Sequence, residues 1–185
     1  MGEQHKKHSR REHLNDFHLN VAGEYVYDGA LYACQSDDAK QRRSKRAVWG
    51  MAAILTVAVA AGGCIPAPGM QNCFYVLLPY LGEFLGAASV IWALAKLGMD
   101  WGAVREYNYQ KSVAVLPVRT AVTAVFSLLG IVCELIFFFV NDHAGQTFFA
   151  LLYVLLKLTA LLSALVLRAE IMQAEWDKLP KKDNS

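Results

Sequence analysis

The chain alternates between long apolar blocks and shorter polar segments. The clearest block is Phe148 to Leu167, FFALLYVLLKLTALLSALVL, which is apolar or weakly polar apart from Lys157 near its midpoint. Twenty residues at about 1.5 Å rise each cover roughly the 30 Å hydrocarbon core of a bilayer, and a soluble core helix seldom stays apolar on every face for that length. Residues 47–65, 74–97 and 120–140 follow the same pattern, each beginning or ending beside basic residues. The pattern predicts an all-α, integral membrane four-helix bundle. Its transmembrane domain covers 47–168, with spans at about 47–65, 74–97, 120–140 and 148–167, preceded by a basic segment over 1–46 and followed by a polar tail over 169–185.

Within residues 1–46, Leu14, Phe17, Val21 and Tyr25 recur at intervals of three and four, with Ala22, Val26, Ala30 and Ala33 on a neighbouring line. This spacing predicts a cytoplasmic amphipathic helix that breaks near Gly23 or Gly29, either lying on the membrane surface or packing on the bundle. His5, His8, His13 and His18 lack cysteine or carboxylate partners at fixed offsets, so they read as a solvated tail and no metal site is assigned. The opening Met1-Gly2 has Lys6 where N-myristoylation requires Ser or Thr.

Charge sets the orientation. Of the 18 Lys and Arg residues, nine precede the first block, four lie from Lys96 to Arg119 between the second and third, and four follow the last. The connections 66–73 and 141–147 have none. Under the positive-inside rule both termini and the middle connection are cytoplasmic, and the two uncharged-to-acidic loops face out. The net charge of +2 hides this arrangement, which decides topology, and no nucleic acid is expected as a partner. The four cysteines have no zinc spacing. Cys64 and Cys73 bracket the first outer loop and are a candidate disulfide if that face is oxidising.

Three ionisable residues fall inside the spans: Glu83, Glu134 and Lys157. Counted from the outer ends of their helices they lie roughly 9 to 14 Å deep, within reach of one another in a compact bundle, so they are the candidate for one shared intramembrane ion or proton site. Polar and small residues accompany each charge at helical spacing. Thr120, Thr123, Ser127, Gly130, Glu134 and Asn141 form a stripe on span three, Tyr80 and Gly86 flank Glu83, and Tyr153 and Ala160 flank Lys157. Gly82 and Gly86 also make a GxxxG pair, and Pro79 can bend span two just above Glu83. The cluster has two readings: a structural ion pair with one carboxylate protonated, or a proton or cation site.

No nucleophile motif, phosphate loop or intramembrane histidine points to an enzyme, and no cofactor is implied. The expected function is that of a small accessory, scaffold or regulatory subunit in the cell membrane, partnered by lipid and by another membrane protein or a second copy. The alternative is a proton- or cation-coupled transporter or channel subunit.

Overall fold

The computed structural model describes residues 17–19, 25–27, 30–35, 37–98, 101–141 and 146–179. In chain order these form strands β1 (Phe17–Leu19), β2 (Tyr25–Tyr27) and β3 (Leu31–Cys34), helices α1 (Asp38–Cys64), α2 (Pro68–Asn72) and α3 (Phe74–Leu97), strand β4 (Val104–Arg105), helices α4 (Glu106–Lys111), α5 (Leu116–Val140) and α6 (Thr147–Gln173), and strand β5 (Trp176–Lys178). The protein is mostly helical, and four of its helices are long and apolar enough to cross a membrane.

Local chemistry explains where these helices begin and end. The first starts at Asp38, whose negative charge suits a helix N-terminus, and continues through Lys, Gln and Arg residues that favour helix well before the apolar block at Ala47. It stops at Cys64 because Ile65 precedes a proline and is extended, with ψ of 133°. The second long helix ends at Gly98, whose φ of 68° is open to glycine at little strain and whose N–H donates to the Leu94 carbonyl at 3.0 Å. Pro117 sits in the first turn of α5, where its missing N–H is not needed.

The long helices pack as a ring: α1 on α6, α6 on α5, α5 on α3. The ring closes only sparsely between α3 and α1, leaving a seam there. The GxxxG pair is spent on the α3–α5 contact. A Cβ at Gly86 would come within 3.3 Å of the Thr123 Cα, and one at Gly82 would run into the Phe126 ring. Gly86 thus permits a close backbone approach, and Gly82 makes room for an aromatic ring, where larger residues would block both. The outward faces carry exposed Leu, Phe and Val, among them Leu85, Phe139 and Leu151, while Val90, Leu116 and Leu167 are buried.

The bundle has a β cap at one end. Strand β3 is central and pairs antiparallel with β4 (Tyr32 opposite Val104) and with β5 (Cys34 opposite Trp176). Tyr32 stacks on Tyr109 with centroids 4.3 Å apart, Trp176 packs beside Trp101 and Tyr109, and Lys45 Nζ lies 5.8 Å from the Trp101 ring centroid. The three basic segments of the chain therefore meet at the same end of the bundle.

This cap corrects the expected N-terminal helix. Residues 17–19 and 25–27 form an antiparallel pair with Phe17 opposite Tyr27, and residues 31–34 belong to the sheet. Phe, Tyr and Val favour strands, and here they find partners across the pair and in distant segments, an advantage that local helical spacing does not register. Leu14, Val21 and Ala22, which the helix also needed, lie outside the described residues.

Candidate functional site

Glu83 on α3 and Lys157 on α6 form a buried ion pair, and neither side chain is more than 2% exposed. Their helices are not the closest neighbours in the ring, so the pair reaches across the bundle interior past α5. The Ser127 hydroxyl on α5 lies 2.7 Å from Glu83 Oε1 and 3.1 Å from the Thr123 carbonyl. Its single proton goes to the nearer, charged acceptor. Three helices thereby meet at one carboxylate.

The lysine end is built from aromatic rings. Lys157 Nζ lies 4.5 Å from the Tyr80 ring centroid and 5.0 Å from that of Tyr153, close enough for ring quadrupoles to offset part of the lost hydration. The aliphatic stem of Lys157 runs past Gly130, where an added Cβ would make ordinary contact at 3.6 Å. The Tyr80 hydroxyl reaches the Val59 carbonyl of α1 at 3.5 Å, which ties the fourth helix to the cluster. The Tyr153 hydroxyl is fully buried and has no hydrogen-bond partner among the described residues.

Glu134 holds a different element. It is fully buried, and its Oε1 accepts the backbone N–H of Gly69 at 3.3 Å, so it fastens α2 onto α5. Gly69 is needed for this approach, since a Cβ there would overlap the Glu134 carboxylate. The segment 66–73 read from sequence as a simple loop. Its Pro68 and Gly69 are buried, and they dip to the level of Glu134. An uncharged, proline- and glycine-rich connection between two apolar blocks was the available signal that this loop could enter the bundle.

The expected polar stripe is thus divided. Ser127, Tyr80 and Tyr153 surround the Glu83–Lys157 pair, Glu134 grips α2, and the Asn141 side chain caps its own helix by donating to the Phe137 carbonyl at 3.0 Å. Thr120 and Thr123 likewise turn back to carbonyls one turn earlier, at 2.9 and 2.8 Å. Cys64 is exposed and Cys73 half-buried, and both are free thiols in this structure. Among the described residues no group of three His, Cys, Asp or Glu side chains could hold a metal ion. His5, His8 and His13 lie outside the described residues. No known protein family, curated protein or solved structure matches the chain.

Proposed function

We propose that the chain is a multi-pass membrane protein, with both termini cytoplasmic, that serves as a non-catalytic accessory or scaffold subunit. The observation that carries this reading is the enclosure of Glu83 and Lys157. Each is packed away from solvent and paired with the other, with Ser127 on the carboxylate and two tyrosine rings on the ammonium. A pair so enclosed fixes which faces of α3, α5 and α6 turn inwards, which is a use of buried charge better attested than stabilisation. Exposed apolar side chains on the outward faces suit lipid or the helices of another membrane protein.

A second reading, ion-coupled transport, is favoured by the Tyr153 hydroxyl, a buried polar group without a described partner beside Lys157, and by Glu134 as a further buried carboxylate. Proteoliposomes with a trapped pH-sensitive dye separate the two. The scaffold reading expects no proton or cation flux above that of empty vesicles, and a flux that disappears in Glu83→Gln would replace it with the transport reading. Orientation is checked separately on intact cells. Lys111→Cys is expected to resist membrane-impermeant thiol reagents, and labelling at that position from outside would reverse the topology.

A further inference from the structure

The α1–α3 seam contains a groove of about 330 Å³, walled by Thr56, Val59 and Ala60 on one side and by Ala88, Trp92 and Ala95 on the other. Its one polar side chain on α1 is already satisfied, because the Thr56 hydroxyl donates to the Ala52 carbonyl at 2.8 Å. The surface inside is therefore apolar. A second cavity, about 520 Å³, opens beside the N-terminal part of α1 and is lined by Asp38, Ala39, Arg42, Arg43 and Arg46. Among the described residues that line it, three arginines stand against one aspartate, a cationic excess. Among the described residues none of the three is occupied by an ion pair or hydrogen bond.

The two features share one face of one helix. Arg42, Arg46, Trp49, Ala53, Thr56 and Ala60 follow each other at steps of four, three, four, three and four, which at 3.6 residues per turn keeps all six in a single stripe. All are exposed except Trp49, which is partly buried. From Arg46 to Ala60 the helix rises about 21 Å, matching half of a bilayer of about 40–45 Å that includes its headgroup regions. On the opposite wall Lys96 Nζ stands 5.3 Å from the Trp92 ring centroid and adds a cation at the same end of the groove.

We propose that this stripe is a binding site for an anionic glycerophospholipid of the leaflet on the sheet side, its phosphate among Arg42, Arg43 and Arg46 and one acyl chain in the α1–α3 groove. The proposal rests on the membrane reading above. Charge complementarity selects the headgroup, and the length and apolarity of the groove select the chain. A second protein copy fits less well, since its own stripe would bring a like-charged rim against this one.

The test is native mass spectrometry of the full chain released from detergent after titration with phosphatidylglycerol or phosphatidylcholine. Phosphatidylglycerol is expected to be retained preferentially, with a loss of about fivefold for each of Arg42→Gln and Arg46→Gln. Ala88→Phe, or the smaller Ala95→Leu should the first fail to fold, is expected to weaken retention of both lipids alike by filling the groove. Equal retention of the two lipids by the wild type, unchanged retention in the arginine variants, or a dimer whose formation displaces lipid would each overturn the proposal. Alkaline carbonate extraction keeps the two levels apart: a chain released from membranes refutes the membrane reading, whereas a chain that stays in membranes without lipid preference refutes this site alone.

Discussion

Lys157→Met is expected to destabilise the protein by about 3 to 5 kcal/mol, because it leaves the Glu83 carboxylate buried with only Ser127 for company. Methionine fills nearly the same volume as the lysine stem, so packing past Gly130 is largely kept and the loss reports the missing charge. Glu83→Gln strands the ammonium in the same way, although the Tyr80 and Tyr153 rings remain under it. The double variant carries no uncompensated charge and is expected to recover to within about 1 to 2 kcal/mol of the wild type. Unfolding of the purified protein in bicelles, followed by helical signal, gives all four corners of the cycle. A Lys157→Met variant as stable as the wild type, or a double variant as weak as the sum of the singles, would show that the two side chains are not energetically coupled.

Trp101→Ala is expected to weaken the fold by about 3 to 5 kcal/mol, comparable to the ion pair although it lies outside every apolar block. Trp101 is 2% exposed and packs on Trp176 from the C-terminal segment, with the Lys45 ammonium over its face. Its Cys34 neighbour is fixed as well, since the Cys34 N–H donates to the Trp101 carbonyl at 3.1 Å. The indole N–H has no acceptor among the described residues, so Trp101→Phe removes a buried donor along with some area and is expected to cost far less than the alanine change. Thermal unfolding of both variants checks the contrast. A negligible loss for alanine would mean that the ring contributes little and that backbone pairing alone holds the cap, and a phenylalanine loss as large as that of alanine would overturn the expected contrast.

The four long apolar helices were legible because hydropathy over twenty residues hardly depends on tertiary detail. The second block was read as 74–97, the bounds of α3, whereas the first was read as starting at Ala47 although α1 starts at Asp38. An apolar window is blind to a helix that continues into arginine and lysine. Glu83 and Lys157 were legible as exceptions to hydropathy, and helical spacing supplied Ser127, Tyr80 and Tyr153. Depth and helical spacing grouped Glu134 with them as well, because the composition of 66–73 hints that the loop can enter the bundle but not that Gly69 is what Glu134 meets there. The β cap was hidden for a related reason: the partners of β3 lie at 104–105 and 176–178, and a periodicity read within 1–46 cannot register them.

The distance between those partners has a temporal side. Strand β3 precedes the first long helix, and one of its two neighbours, β5, follows the last. The first long helix also packs chiefly against the last. At about 5–20 residues per second, a ribosome needs on the order of ten seconds to travel from the one to the other. Until α6 is made the earliest long helix lacks its chief packing partner, and β3, which can pair with β4 midway, still lacks β5. The finished architecture is sealed from its two ends inwards, so a nascent chain cut short anywhere before Trp176 forfeits the closing strand, and one cut before Thr147 also forfeits the helix against which the first would settle.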